Sequence, residues 1–397
     1  MTDVQHHDVV VVGGGNGGVS LAARLLRDGV RDVALVSDQA VHAYRPLLNY
    51  VGGGQARMGD LERSMRQVLP DGCTWIHDAV TGVDPDRSQV RTASGRVLGY
   101  ARLVLAPGLT EDFDATAGLR AAYDDGWAAS TYVTAAAPRV WPALRDLRGG
   151  TVVFTVPPEP APCAPTALKP LFLACDHWRR RGVLERLDVH LVLPAAGVTG
   201  VEPVDAVVDR ALADYGVRVH RQASVAAVDH TLRQVTVAGP AGEERVDDVA
   251  VAHVVPRYRA PGWIAAGGLA ADPDPGLVDI DERTLRHRRH DDVWAIGDAA
   301  AVGVSPSGGA LRPQVDVLAR NLAAAADGGA LASYDGYTVA PVTTARRRLL
   351  LAEFDRAGRL QPSVPVVDLL RPRLVTWFVD RYVLPRVYFR RILRGRV

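Results

Sequence analysis

The chain alternates short runs of unbroken apolar residues with stretches of helical periodicity. DVVVVGGGNGGVSLAARLLRDG (8–29) opens with four valines in a row, the composition of a strand covered on both faces, and continues through a glycine turn into a helix. DVALVS (32–37) predicts the next strand. LVLAPGL (103–109) and DDVWAIGDAA (291–300) are further strands that run into glycine. In the middle of the chain GGTVVFTVPPEPAP (149–162) is a strand entering a proline-rich turn. TALKPLFLACDHWRRRG (166–182) then sets Leu168, Leu171, Phe172, Cys175 and Trp178 at helical spacing. The last stretch, RPRLVTWFVDRYVLPRVYFRRILRGRV (371–397), predicts two short basic amphipathic helices broken at Pro385. The predicted class is α/β: two Rossmann-like dinucleotide-binding domains plus a C-terminal amphipathic helical segment suited to a membrane surface.

The first glycine turn carries G-x-G-x-x-G at Gly13, Gly15 and Gly18. The first glycine permits the tight turn and the second lets a pyrophosphate reach the backbone. The third lets helix and strand pack closely, and the helix N-terminus beginning at Asn16 faces the phosphates. An acid is expected at the end of the second strand to bond ribose hydroxyls. Here Ser37 stands in that place and Asp38 follows, so either residue is a candidate. Near the other end, Gly297-Asp298 after a strand and before a helix suits the ribityl and phosphate groups of a flavin dinucleotide. With LVLAPGL between them, the motifs in this order indicate non-covalent FAD.

The middle turn differs. Proline offers no N–H to a phosphate and cannot take positive φ, so NAD(P)H is not expected there. The turn carries Cys163 instead, just ahead of a helix whose dipole, with Lys169 one turn in, would favour a thiolate. Lys169 is the only lysine in the chain. Cys175 falls on the apolar stripe and reads as core, and Cys73, in DGCTWIHDAV, as structural. Three cysteines are too few for a disulfide framework. A net charge of +1 gives no field that would select nucleic acid. The N-terminus runs straight into a strand without the features of a signal peptide, and no run of eighteen apolar residues occurs, so the cell interior is the expected location.

Taken in order, these segments resemble the sulfide:quinone oxidoreductases, and most of all the type that includes the mitochondrial enzyme. HAYRPLLNYVGGG (42–54) is similar to the segment that passes near the isoalloxazine. CAPTALKP (163–170) is similar to the family's cysteine loop, TLRHRRHDDVWAIGD (284–298) to its second FAD motif, and YDGYTVAPVTTARRRLLLAEFD (334–355) to its late motif. The resemblance implies a discontinuous FAD domain (1–115 and 255–335), a second Rossmann-like domain carrying the cysteine loop (116–254) and a C-terminal quinone- and membrane-docking region (336–397). It implies Cys163 and Lys169 as catalytic residues. The implied FAD set is Gly13, Gly15, Asn16, Gly18, Ser37, Asp38, Arg45, Pro46, Val80, Ala106, Gly108, Gly297, Asp298 and Gln314. The implied partners are sulfide or a related sulfur donor, a membrane quinone, and a low-molecular-weight thiol as sulfur acceptor, with the protein peripheral on the inner face of the membrane.

Two departures stand out. The family's second cysteine lies in a Y-T-x-C-P motif, and this chain reads YTVAP with Ala340 in that place. A lysine usual ahead of the following helix is replaced in VSPSGGALRPQ by Pro306, while Gln314 remains. The two-cysteine chemistry of the family, in which one sulfur bridges two thiols, is not available as written. An external thiol could take the missing partner's place. The other readings are a quinone-linked flavoprotein with a different donor, and a flavin-binding sensor or assembly protein without turnover.

Overall fold

The computed structural model describes residues 4–364 and 367–396. A seven-stranded sheet is built on Val4–Val12, which pairs in parallel with Val33–Val36 on one side and Val97–Leu105 on the other. Thr74–Ile76 extends one edge, Gln89–Thr92 and Val80–Asp84 extend the other, and Val293–Ala295 returns to pair with Val97–Leu105. The valine run of the first strand is fully buried, as a strand with cover on both faces must be. The register decides where the site lies. Val12 is level with Val36 and Leu105, and Leu105 with Ala295. Gly13, Ser37, Ala106 and Gly297 therefore leave the sheet at its carboxyl edge within a residue or two of one another, where open α/β sheets bind ligands.

A second, wholly parallel sheet runs in the order Arg218–Arg221, Leu187–Leu193, Gly150–Thr155, Val249–His253. The helix Leu168–Arg180 packs on it, and Cys175 and Trp178 are fully buried, as the apolar stripe predicted. An antiparallel three-stranded sheet, Ser224–Asp229, Gln234–Gly239 and Gly242–Val246, covers one end. Each large sheet has its own hydrophobic core.

Residues beyond 336 do not stand apart from these cores. The hairpin Thr338–Ala345/Arg348–Phe354 sends Ala340, Val342, Leu350 and Ala352 into the second core, while Leu349, Trp377, Tyr388 and Leu393 belong to the first. The C-terminal helical run corrects the sequence expectation. Leu374–Phe378, a π-turn over Val379–Val383, and Leu384–Arg390 are continuous, and Pro385 does not break them. Pro385 occupies the first turn after the π segment, where the widened backbone accommodates a residue with no N–H. One side of the run is buried through Trp377, Asp380, Arg381 and Tyr388. The other exposes Leu374, Val375, Phe378 and Val383, by 37–68%.

Candidate functional site

The glycine turn is shaped for close approach. Gly13 takes φ +114°, and a Cβ there would meet the carbonyl oxygen of Ala106 at 2.1 Å. A Cβ on Gly18 would meet the Gly13 carbonyl oxygen at 1.9 Å, whereas one on Gly15 would meet nothing within 4 Å. The first and third glycines are thus demanded by packing, and the second borders open space, where a phosphate would approach the backbone. Asn16 begins the helix and accepts from Ser20 Oγ at 3.1 Å. Ser37 is buried beside the turn, its Oγ 2.6 Å from where a Cβ of Gly14 would stand, while Asp38 is exposed to solvent. Of the two ribose candidates, it is the serine that faces the cradle.

The opposite wall comes from 297–314. Gly297 adopts φ +77° and its N–H donates to Gln314 Oε1 at 2.9 Å. The helix expected directly after Asp298 starts only at Leu311, so Gln314 in its first turn reaches back across an irregular segment to hold the motif. Asp298 is pushed up to about 6 by desolvation, opposed by the positive charge of Arg45. Arg45 leads a short 3₁₀ turn that includes Pro46, and its guanidinium donates to the Tyr132 carbonyl at 3.0 Å, tying the two halves together. Gly108 takes φ +71° just past the crossover at Ala106, and Val80 is half-buried at the start of an outer strand of the flavin sheet. An open glycine cradle, a desolvated carboxyl and a serine facing the turn fit a flavin dinucleotide. When bound, the flavin supplies two-electron redox chemistry.

Cys163 occupies a cage of three segments. It sits in the left-handed region, φ +50°, at the head of a 3₁₀ turn leading into Leu168–Arg180. Its N–H donates to the Pro306 carbonyl at 3.0 Å, and its Sγ lies 3.8 Å from the Val339 carbonyl. Its own carbonyl accepts from Tyr132 Oη at 2.8 Å and Thr166 Oγ1 at 2.9 Å. The thiol therefore faces the strand position next to Ala340, which is buried. The two departures seen in the sequence both lie at this cysteine: Pro306 accepts from its N–H, and Ala340 follows the residue whose carbonyl its Sγ meets.

The structure gives Lys169 a direct partner besides its influence on Cys163. Its Nζ is fully buried, donates to Asp380 Oδ2 at 2.7 Å and lies 4.7 Å from the centre of the Tyr50 ring. Tyr50 Oη donates to the same oxygen at 2.7 Å. The ammonium is thus committed to a carboxylate of the C-terminal run. Burial pushes the Cys163 thiol up to about 12, with Lys169 opposing and Asp298 and Glu159 adding to the rise, so desolvation outweighs the helix end and the lysine. Cys73 and Cys175 stand elsewhere, each raised by burial, and among the described residues all three cysteines are free.

Sequence reasoning missed Tyr132, Thr166, Asp380 and Glu159. Tyr132 and Asp380 are brought in by long-range packing, which no local pattern reveals, whereas Thr166 is three residues from Cys163 and caps its carbonyl locally. Glu159 had a signal: it is the one carboxylate within the proline loop.

Comparison with known proteins agrees with this geometry. The family model described as pyridine nucleotide-disulphide oxidoreductase matches residues 7–134. The mitochondrial sulfide:quinone oxidoreductase of Mus musculus is 28% identical over 398 aligned residues, covering 99% of this chain and 88% of its own. The solved sulfide:quinone oxidoreductase of Aquifex aeolicus superimposes with a TM-score of 0.83 at 17% identity, covering 99% of this chain and 92% of that one. A chain in the Tetrahymena thermophila mitochondrial ATP synthase does so with a TM-score of 0.84 at 19% identity, covering 100% and 97%. At those identities the structural likeness is one of fold. The fold is that of the solved sulfide:quinone oxidoreductase, and its amino-terminal third matches the pyridine nucleotide-disulphide oxidoreductase model, with a cradle that fits FAD. Over nearly its whole length the chain is similar, at 28–29% identity, to mitochondrial sulfide:quinone oxidoreductases.

Proposed function

We propose that the protein oxidises sulfide, or a related reduced sulfur species, at Cys163 and passes the electron pair through FAD to a membrane quinone. The observation that supports this most directly is the direction of the thiol. Cys163 Sγ points at the Val339–Ala340 strand segment, the place that a second thiol would occupy in the family pattern. With alanine there, an external low-molecular-weight thiol supplies the missing sulfur function. In the overall balance, the Cys163 thiol, one hydrosulfide ion and one proton would yield a Cys163 persulfide, two electrons and two protons, for which bound FAD would be the two-electron oxidant. The external thiol then takes the sulfane sulfur as its own persulfide and Cys163 returns to the thiol.

The quinone end of the reading rests on the C-terminal run. Its outward face carries Leu374, Val375, Phe378 and Val383, flanked by Arg371, Arg373 and Arg386, the composition of a surface that lies in the lipid interface with its cations at phosphates. Among the described residues no helix is long and apolar enough to cross a membrane, so docking would be peripheral.

The test is anaerobic. Purified protein is mixed with sulfide, with and without a low-molecular-weight thiol, while the oxidised flavin band is followed. The experiment is repeated with Cys163→Ser, and a soluble quinone is added last. Bleaching that needs Cys163 and reverses with quinone is the expected result. A flavin that stays oxidised with every sulfur donor overturns the proposal. It would favour the second reading, a flavin-bound assembly or sensor protein, which draws support from Ala340 and from the likeness to a chain within an ATP synthase.

A further inference from the structure

We propose that His42 and Tyr388 form a relay that fixes the phosphate-facing peptide of the glycine turn, which makes the C-terminal run a working part of the flavin cradle. The relay is independent of the sulfur chemistry given to Cys163. His42 is buried and its ring bridges two distant segments. Nδ1 lies 2.9 Å from the Gly14 carbonyl oxygen, and Nε2 lies 2.6 Å from Tyr388 Oη. A carbonyl oxygen only accepts, so Nδ1 carries the hydrogen and donates to Gly14. Desolvation holds His42 below the ordinary histidine range, so the ring is neutral and has no second hydrogen. Nε2 therefore accepts from the Tyr388 hydroxyl, which burial keeps protonated.

The consequence falls on the turn itself. In a trans peptide the carbonyl and the N–H that follows it point in opposite directions. With the Gly14 carbonyl drawn toward His42, the Gly15 N–H is turned the other way, on the residue that borders open space. Among the described residues that N–H has no backbone acceptor. Gly15 leads the helix Asn16–Arg27 without a side-chain cap, so its N–H is left for an anion, here the pyrophosphate of a flavin dinucleotide. Tyr388 is held in its turn, its ring centre 4.5 Å from that of Tyr44. The end of the C-terminal run also sits on the same helix, where a Cβ on Gly395 would meet the Arg24 backbone nitrogen at 2.6 Å. Turn and C-terminal run are thus joined at two points, and a hydrogen-bond chain of two side chains leads from one to the other.

The test dilutes the FAD-bound protein into flavin-free buffer and follows release by the fluorescence of free flavin, with phosphorus NMR of the bound pyrophosphate as a second readout. His42→Phe keeps a ring and removes both nitrogens. It should release flavin about tenfold faster and move a pyrophosphate resonance, because the Gly14 carbonyl is left unpaired and the peptide is no longer fixed. His42→Asn keeps an N–H at the place of Nδ1 and should stay within about threefold of wild type in release, with little change in the phosphorus spectrum. Tyr388→Phe removes only the hydroxyl. It should speed release about threefold, and add nothing when combined with His42→Phe. Denaturant unfolding of each variant reports stability separately. The proposal is overturned if His42→Asn is as impaired as His42→Phe, or if release only follows unfolding stability while the phosphorus spectrum stays unchanged; the ring would then merely fill space. Should His42→Phe fail to fold, Tyr388→Phe decides, and wild-type release with a wild-type phosphorus spectrum overturns the relay. Neither readout uses sulfide or quinone, so a flavin that sulfide cannot reduce would sink the functional proposal and leave this one standing.

Discussion

The two strand–turn–helix units of this chain occupy equivalent places among the parallel strands of two sheets, yet their turns are opposites. After Val12 the turn is glycine, with a helix N-terminus and an open space at Gly15. After Thr155 the turn is proline-rich and is closed by side chains and by a neighbouring loop that meets Glu159 and Cys163. The topology is shared, so the difference in chemistry comes from the turn alone. Glycine leaves N–H groups free for phosphate, whereas proline removes them and fixes a backbone that presents a thiol. The second turn keeps the parallel topology while Pro157, Pro158, Pro160 and Pro162 remove N–H groups that a phosphate would use.

This comparison can be broken most forcefully at the proline unit. Lys169→Met leaves Asp380 buried without its cation and should cost about 3–5 kcal/mol, read from denaturant unfolding, whereas Lys169→Met combined with Asp380→Leu should recover much of the loss. If the single variant melts like wild type, the helix behind the cysteine turn is not pinned by this pair.

Acid probes the same unit. His253, buried beneath the turn where its Nε2 meets the Thr131 N–H, is pulled down to about 4 by desolvation. The unfolded chain takes up its proton below the ordinary histidine value and the folded chain does not. Stability is thus intact above about pH 6.5 and declines as pH falls toward 4, by roughly 3 kcal/mol in all. His253→Gln should flatten that part of the stability–pH curve.

At the glycine unit, Gly18→Ala drives a methyl into the Gly13 carbonyl and should cost about 1–3 kcal/mol, appearing as a lower flavin-to-protein ratio. Full flavin occupancy in this variant would show that the turn has slack the geometry denies. The smallest effect is expected at the outer face of the C-terminal run. Phe378→Ser should change stability by less than about 0.5 kcal/mol while weakening sedimentation with anionic vesicles.

The contrast between the turns was legible in the sequence because both are local. Four valines, G-x-G-x-x-G and a proline run announce themselves within a dozen residues. The stripe through Cys175 and Trp178 was equally plain. What could not be read is everything that joins residues far apart in the chain. Lys169, six residues after Cys163, reads as the cysteine's partner, and its charge does favour the thiolate, yet its Nζ is bonded to a carboxylate more than two hundred positions later. The continuity of the C-terminal run through Pro385 escaped for a related reason. A π-turn is a response to packing against Tyr50, Gln55 and Asp60, and leaves no periodic signature of its own.

The burial of Lys169 also gives the molecule a built-in clock. An amine-acylating reagent finds one side-chain amine in this chain, and it is held inside by an ion pair. Acylation there would count openings between the cysteine helix and the C-terminal run, free of competing lysines elsewhere. A single mass increment on the peptide carrying Lys169 would then measure how often the two part.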